Sequence, residues 1–263
     1  MRPNHVLRAW RLGAPSVGAW LTVDSAFNAE VLAHTGFDWL CIDMQHGVID
    51  FADAVGMLQA ISTTSVVPLV RVSWNDPSQI MKVLDAGAMG VVVPLVNTRA
   101  EAERAVAACR YPPLGIRSAG PARGRLYGGT DYMEAANPEI ACIVMIETAE
   151  ALTNLDAILS TPGVDAAYVG PADLAFALGL PGRGDNPDPR HLEAVRGILA
   201  ACKRRGVTPG IHCGSVEYAS KYLQLGFQMV TLGSDTGFMT GRAAADLQAV
   251  RGSVGAAAIA PEG

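Results

Sequence analysis

The sequence lacks several features that define common classes of protein. Its 263 residues carry 20 basic and 25 acidic side chains, so no basic excess is available to hold a nucleic acid. No apolar run reaches the roughly 18 residues that cross a bilayer. Aromatic residues make up 6% of the chain, which is few for the stacking platforms of a sugar-binding protein. The composition therefore predicts partners that include neither a nucleic acid nor a membrane.

Cysteine and lysine are also sparse. The five cysteines are odd in number and show no Cys-x-x-Cys spacing, which predicts reduced thiols in a cytoplasmic protein and no cysteine zinc site. The only lysines, Lys82, Lys203 and Lys221, all fall within predicted helices. A Schiff-base aldolase needs a lysine inside its pocket, so carbonyl chemistry in this chain requires a metal ion instead.

Short apolar runs rich in β-branched residues alternate with helical patterns along the chain. Continuous apolar runs of this kind are typical of parallel strands that are covered on both faces. The runs are 17–21, 39–43, 67–72, 90–96, 141–147, 166–170, 208–213 and 229–233. Eight strand–helix units predict an α/β fold, the (β/α)8 TIM barrel. The alternative is an open doubly wound sheet, but the Gly-x-Gly-x-x-Gly turn that often follows its first strand is missing.

The predicted organisation is one catalytic domain with short extensions. Residues 15–250 form the barrel, residues 1–14 a short polar lead-in, and residues 251–263 a flexible tail. The connection 110–140 is unusually long, and ordered loops of this length are usually functional. The Gly- and Pro-rich loop 179–189 is expected to carry no chemistry.

Polar side chains gather where the predicted strands end. They are Asp43, Arg71, Glu147, Asp173, His212 and Asp235. Charged groups at the ends of core strands are costly unless they are paired or bound to something. Because barrel enzymes place their chemistry at the carboxyl ends of the strands, this gathering predicts an active site.

Glu147 and Asp173 are 26 positions apart, about one strand–helix unit. Adjacent strands would bring their carboxylates to one side of the pocket. Two oxygen ligands with room for water suit Mg²⁺, Mn²⁺ or Co²⁺. Two other interpretations stay open on spacing alone. In the first interpretation, Asp173 caps a helix and Glu147 pairs with Arg71. In the second, the two carboxylates form the catalytic pair of a glycosidase.

Asp43 and His46 lie three positions apart in a turn after the second strand. A carboxylate there fixes the tautomer of the imidazole and raises its basicity, or else His46 is a surface histidine in contact with water. Arg71 is expected at the pocket mouth, where its guanidinium stabilises an oxyanion or forms a structural salt bridge. The remaining histidines, His5, His34 and His191, are interpreted as ordinary terminal or helix-surface residues.

Five segments, in this order along the chain, together resemble the HpcH/HpaI aldolase family of metal-dependent pyruvate aldolases. They are Gly36–His46, Arg71–Pro77, Tyr111–Arg117, Ile146–Thr148 and Val169–Leu174. The likeness extends over roughly residues 15–250. It implies a (β/α)8 barrel and a homo-oligomer, usually a hexamer, whose last helix is exchanged between paired subunits.

The resemblance also implies roles for the residues that match the family motifs. Glu147 and Asp173 are the implied ligands of a divalent metal cation. His46 is the implied general base, and Asp43 the residue that orients it. Arg71 is implied to steady the keto or enolate oxygen of the substrate.

Further matches concern the substrate. The backbone at Gly170, Pro171 and Ala172 is the implied cradle for the pyruvate carboxylate. Asp85 matches a position that reaches a neighbouring subunit's site, where it would belong to the catalytic set.

There are also departures from the family pattern. Gln45 stands where some members have glutamate before the histidine. His212 ends a strand where some members carry an aliphatic residue. The residues expected to select the aldehyde are Arg123, Arg125, Tyr127 and His212, of which Arg123 and His212 are expected to bind the substrate.

The implied reaction is the reversible aldol cleavage of a 4-hydroxy-2-keto acid to pyruvate and an aldehyde, through a pyruvate enolate held on the metal. One alternative is a related metal-dependent carbon–carbon lyase that acts on acyl-CoA or dicarboxylate substrates, with Arg123 and Arg125 on a nucleotide surface. Another is a non-catalytic barrel that binds a keto acid or a sugar phosphate, with the loop 232–237 as a phosphate cradle.

Overall fold

Eight parallel strands close into a barrel in chain order in the computed structural model, which describes residues 1–253. The strands are β1 Ser16–Leu21, β2 Trp39–Asp43, β3 Val67–Arg71, β4 Gly90–Val93, β5 Ala141–Ile146, β6 Ala166–Val169, β7 Thr208–Ile211 and β8 Met229–Ser234. Every predicted strand is confirmed, although several end earlier than predicted. The open doubly wound sheet is wrong, because β1 pairs with both β2 and β8.

Helices connect consecutive strands, and local capping explains where many of them begin. The helices of residues 1–253 are α1 His5–Arg11, α2 Ala26–Ala33, α3 Phe51–Ile61, α4 Pro77–Asp85, α5 Arg99–Cys109, α6 Ala122–Gly128, α7 Tyr132–Ala135, α8 Ala149–Thr153, α9 Leu155–Leu159, α10 Pro171–Ala177, α11 Pro189–Arg205, α12 Val216–Leu225 and α13 Asp235–Ser253. Asp76 caps α4 just before Pro77, and Thr98 caps α5 in a capping box. Within residues 1–253, no helix combines the length and hydrophobicity needed to cross a bilayer.

Apolar side chains fill both the inside of the barrel and the layer between strands and helices. Trp39 is fully buried inside the barrel beside Gly18, where an added Cβ would overlap the indole ring. This close approach explains why β1 carries glycine at that position. All five cysteines are free and buried, as expected for reduced structural thiols.

Half of the polar lead-in predicted for residues 1–14 is a helix that packs on the barrel. α1 buries Val6, Leu7 and Trp10 against the inner apolar cluster. The indole Nε1 of Trp10 donates to Ser16 Oγ over 2.8 Å at the beginning of β1. The prediction of a polar segment was wrong because the polar residues were given more weight than Val6, Leu7 and Trp10, which share one face of a helix.

The long connection 110–140 is ordered and lies at the amino ends of the strands, since it leads from α5 into β5. It contains α6 and α7. Its residue Arg117 is buried and donates to Asp85 over 2.8 Å and to the Tyr132 hydroxyl over 3.1 Å. Within one chain, this connection is therefore at the opposite end of the barrel from the polar strand ends.

The last helix runs away from the barrel wall. Residues 241–253 are exposed throughout, and α13 contacts the barrel mainly at its first turns. Residues 251–253 of the predicted tail belong to this helix, and residues 254–263 lie outside the described residues. An apolar groove beside the helix is lined by Val17, Leu32, Phe37, Leu232 and Phe238.

Candidate active site

Alternation along the strands explains why polar side chains meet at the carboxyl end of the barrel. In β2, Trp39 and Cys41 point into the barrel. Successive side chains of a strand point to opposite faces, so Asp43 continues this inward series. The same alternation places Arg71, the last residue of β3, on the inward face. It also makes the first positions after β5 and β7 inward, and these are Glu147 and His212. The strand geometry therefore turns distant polar residues towards one another.

A cavity of about 260 Å³ opens at this end. Predicted site residues that line it are His46, Arg71, Gly170, Pro171, Ala172, Asp173 and His212. Trp20, Met145 and Tyr168 supply most of its apolar wall. No lysine of the described residues lines it, in agreement with the prediction that the lysines lie on helices.

Asp43 and Arg71 form a two-point ion pair at the ends of neighbouring strands. Arg71 Nε donates to Asp43 Oδ1 over 2.8 Å, and Nη2 donates to Oδ2 over 2.6 Å. The Cζ atom of Arg71 lies 4.3 Å from the ring centroid of Trp20. The salt-bridge interpretation is confirmed, and the guanidinium also faces the cavity. The pair fixes the planar guanidinium in one orientation.

The remaining hydrogen bonds of Asp43 hold the turn that carries His46. Its Oδ1 accepts from the backbone N–H groups of Gln45 and His46 over 3.1 and 3.2 Å. The contacts of residues 1–253 include no bond from Asp43 to the His46 ring. The expected orientation of the ring by Asp43 is therefore corrected: the carboxylate positions the backbone of His46, whose side chain is exposed at the cavity.

Glu147 follows β5 and is only 2% exposed. Its Oε1 accepts one hydrogen bond, over 2.9 Å, from the backbone N–H of Leu95. Burial raises the pKa of Glu147 to about 7. Asp173 also raises this pKa, while the Leu95 N–H and Arg71 lower it. An added Cβ at Gly170 would overlap Glu147 Oε2, so only glycine leaves space for this carboxylate.

Asp173 is the third residue of α10, near Glu147. The helix begins at Gly170 without a side-chain cap, so the helix-capping interpretation of Asp173 is wrong. The pairing of Glu147 with Arg71 is also wrong, because Arg71 pairs with Asp43. Both carboxylates are consequently left without a cationic partner among the described residues.

His212 packs against the ring of Trp20. The centroids of the two rings are 5.8 Å apart and the rings are tilted by 57°. Burial, and then the charge of Arg71, lower the pKa of His212 to about 4. The imidazole is therefore neutral at neutral pH, and it offers the cavity a hydrogen-bonding group without charge.

Two predicted site residues are not brought to this cavity within one chain. Asp85 ends α4 at the opposite end of the barrel and pairs with Arg117. Arg123 donates there to the Ala86 carbonyl oxygen over 2.5 Å and to Ser62 Oγ over 3.1 Å. A role for Asp85 in a neighbouring subunit's site stays a prediction, and Arg123 can join a site only in the same way.

Sequence reasoning missed four residues that shape the site. Leu95 presents its N–H from a left-handed backbone, with φ of +52°. Trp20 contacts both Arg71 and His212, and Gly184 of the loop 179–189 lines the cavity. His191 is buried behind Pro171. Only Trp20 had a usable signal, since it precedes the end of β1 by one residue. The loop 179–189 thus forms part of the cavity wall, and the expectation that it carries no chemistry stays a prediction.

The loop 232–237 does not offer a phosphate cradle. The carboxylate of Asp235 is 1% exposed and accepts from Thr22, Val23 and Asn28. A buried carboxylate repels a phosphate and already occupies the nearby donors. This loop instead anchors the start of α13 to the β1–α2 connection.

Ionisable side chains that converge on a partly apolar cavity at the carboxyl ends of the strands identify the chain as a (β/α)8-barrel enzyme. A family model described as HpcH/HpaI aldolase/citrate lyase matches residues 16–240. The chain belongs to this family and is a carbon–carbon lyase. The glycosidase and non-catalytic interpretations are therefore wrong.

Individual relatives are similar in sequence or structure over nearly the whole chain. The hydroxypyruvate/pyruvate aldolase of Rhizorhabdus wittichii is 41% identical over 240 residues, which are 91% of this chain and 96% of that protein. A 4-hydroxy-2-oxo-heptane-1,7-dioate aldolase of Escherichia coli is 39% identical over 261 residues, 98% of each. The structure of an HpcH/HpaI aldolase/citrate lyase family protein from Burkholderia cenocepacia superposes with a TM-score of 0.89 at 37% identity, covering 94% of this chain and 99% of that one.

The raised pKa of Glu147 predicts how pH affects the stability of the metal-free protein. The pKa in the folded state is about 7, above the ordinary value of 4.5. Below pH 4.5 the Glu147 carboxyl is protonated in both the folded and the unfolded state, so it adds no penalty and does not lower the free energy of unfolding. Between pH 4.5 and 7 only the unfolded state ionises, so stability falls as the pH rises. Above pH 7 the penalty is constant at about 3 kcal/mol.

Glu147→Gln removes this penalty. We expect urea unfolding in EDTA to show that the variant gains stability relative to the parent from pH 5 to pH 8, by up to about 3 kcal/mol. The exposed Glu193 provides the matched control Glu193→Gln, which should not change the pH dependence. Parallel pH profiles for the parent and Glu147→Gln would contradict the raised pKa.

Proposed function

We propose that this enzyme is a divalent-metal-dependent pyruvate aldolase. It reversibly cleaves 4-hydroxy-2-keto acids to pyruvate and an aldehyde. The observation that carries the proposal is the buried carboxylate of Glu147 near Asp173, beside a cavity that Asp173 and Arg71 line and that no lysine of the described residues lines. The names of two relatives support it, since one is a hydroxypyruvate/pyruvate aldolase and the other a 4-hydroxy-2-oxo-heptane-1,7-dioate aldolase.

The donor set fits a hard divalent cation such as Mg²⁺, Mn²⁺ or Co²⁺. Glu147 Oε2 and the Asp173 carboxylate have no hydrogen-bond donor within residues 1–253, and the charge of Asp173 disfavours ionisation of Glu147. A cation would reverse this repulsion. The described residues hold no group of three or more His, Cys, Asp or Glu ligands, so water and substrate oxygens would complete the coordination.

The residues around the carboxylates have distinct tasks in the proposed reaction. The bound cation would supply positive charge for the developing oxyanion. Arg71, held by Asp43, points a second positive charge at the same oxygen. His46 takes the proton from the C4 hydroxyl, directly or through water. The backbone at Gly170, Pro171 and Ala172 receives the carboxylate of the keto acid, while the apolar wall limits access of water.

The aldehyde half lies against His212 and Trp20 in this proposal. His212 is uncharged, and the only guanidinium at the cavity within residues 1–253 is already paired with Asp43. A single chain therefore provides no free cation for a carboxylate on the aldehyde. This favours a neutral hydroxyaldehyde over succinic semialdehyde. Arg123 and Asp85 contribute only from a neighbouring subunit.

A direct assay tests the reaction. The purified protein is incubated with pyruvate and glycolaldehyde, in Mn²⁺ or in EDTA, and the aldol product is measured. We expect product only with the metal, no inactivation by borohydride, and slower reaction with succinic semialdehyde. Equal product in EDTA would contradict the metal proposal. If no product forms and the protein binds coenzyme A, the result would favour the related acyl-CoA lyase.

Substitution of Gly170 tests the metal ligands separately from activity. Gly170→Ala should weaken Mn²⁺ binding by about tenfold or more, because the new methyl group displaces the Glu147 carboxylate. The φ of Gly170 is −89°, which alanine tolerates. Gly197→Ala is the matched control, since a Cβ there meets nothing within 4 Å. Titration of Mn²⁺ by electron paramagnetic resonance gives both affinities. Unchanged binding by Gly170→Ala would contradict Glu147 as a ligand.

We further propose that the chain assembles as a homo-oligomer, a hexamer with α13 exchanged between paired subunits. The exposed α13 and the apolar groove of Val17, Phe37 and Phe238 beside its origin support this arrangement. Light scattering on the purified protein should give about six times the chain mass of 27.5 kDa. A monomer at micromolar concentration would contradict the exchange of α13.

A further inference from the structure

A buried histidine lies behind the cavity and does not line it. His191 is the third residue of α11 and is 1% exposed. The sequence interpretation as a helix-surface residue is therefore wrong. Its ring faces the segment that begins α10, where the Pro171 carbonyl oxygen lies 3.0 Å from Nε2. The ring is thus in contact with the segment that carries Asp173.

We propose that His191 is a positioning residue that holds the segment Gly170–Asp173 in place for metal and keto-acid binding. The inference rests on the proposed function, because it assigns His191 a task at the same site. His191 acts through the backbone of Pro171 and does not itself reach the substrate.

The hydrogen bond assigns the tautomer of the ring. A carbonyl oxygen only accepts, so Nε2 of His191 carries the hydrogen. Nδ1 of the neutral ring then lacks a hydrogen, and it is buried without a partner among residues 1–253. An unpaired buried acceptor is unfavourable, whereas an apolar side chain would fill the same space without this cost. The bond to Pro171 is the one polar contact of the ring that offsets it.

Pro171 is a suitable point of attachment. Proline has no N–H, so its carbonyl is the only backbone group through which a neighbouring side chain can hold this residue by a hydrogen bond. Gly170, directly before it, has no side chain with which to fix the turn. A contact at Pro171 therefore restrains Gly170 against Glu147 on one side and Asp173 on the other.

The same contact closes the loop between α10 and α11. Gly184 of this loop lines the cavity. Asp185 accepts from the Gly214 N–H over 3.0 Å and from Ser215 Oγ over 2.7 Å, at the end of β7. The loop is thus held at its middle by Asp185 and at its base by His191. Loss of the base contact would loosen both this cavity wall and the turn at Pro171.

Three substitutions separate the hydrogen bond from packing. The amide nitrogen of His191→Gln reaches about as far as Nε2 and restores the donor. That of His191→Asn corresponds to Nδ1 and falls short, and His191→Leu fills space without a donor. We expect His191→Asn and His191→Leu to weaken Mn²⁺ binding and to raise the KM for pyruvate, each by about tenfold. In His191→Gln both values should stay within about threefold of the parent protein. His34→Asn, on an exposed histidine, is the control.

Metal affinity, steady-state kinetics and the unfolding midpoint are measured for each variant. Unchanged Mn²⁺ affinity in folded Asn and Leu variants would overturn the proposal. An equal loss of Mn²⁺ affinity in all three variants, in proportion to their loss of stability, would also overturn the proposal, because it would indicate that His191 acts by packing alone. If Leu does not fold, the comparison of Asn with Gln decides. A parent protein that binds Mn²⁺ but forms no aldol product refutes the proposed function alone, because the metal titration still tests His191.

Discussion

A carboxylate buried with a single hydrogen-bond donor is the constraint around which the active end of the barrel is arranged. Glu147 receives one backbone N–H, from Leu95, and that donor comes from a left-handed backbone unusual for leucine. Gly170 leaves out a side chain so that the carboxylate fits. Arg71 is committed to Asp43 and does not neutralise Glu147. The protein thus keeps a negative site unpaired, which is the arrangement that a cation-binding centre requires.

The ion pair of Asp43 and Arg71 affects two groups of side chains near the cavity in different ways. One group is Glu147 and Asp173, whose carboxylates are suited to a cation. The other is His212, which packs against Trp20 and is neutral because burial and Arg71 both lower its pKa. The guanidinium of Arg71 therefore adds positive charge near Glu147 and Asp173, and the same charge disfavours protonation of His212. Both effects depend on the fixed geometry of the pair.

The two ends of the barrel have different tasks. The amino end is closed by α1, and Arg117 is paired with Asp85 in the connection before β5. These contacts stabilise the fold, as is usual for that end of the barrel. The carboxyl end instead leaves the carboxylates of Glu147 and Asp173 without a cationic partner among residues 1–253, and side chains such as Asp43 and His191 hold its backbone turns. The carboxyl end thus keeps groups open for ligands, whereas the unpartnered Nε and Nη1 atoms of Arg117 at the amino end are buried.

Local patterns determined the eight strands and the carboxyl-end positions of Asp43, Arg71 and Glu147, because side-chain alternation and capping depend only on neighbours in sequence. The tertiary structure alone decided which groups meet. Leu95 contacts Glu147 across 52 positions, and His191 contacts Pro171 across 20. Neither contact leaves a periodic signal, since one uses a backbone N–H and the other a backbone carbonyl. The pairing of Asp43 with Arg71, which leaves Glu147 without a counter-charge, likewise depends on the tertiary register that places β2 beside β3.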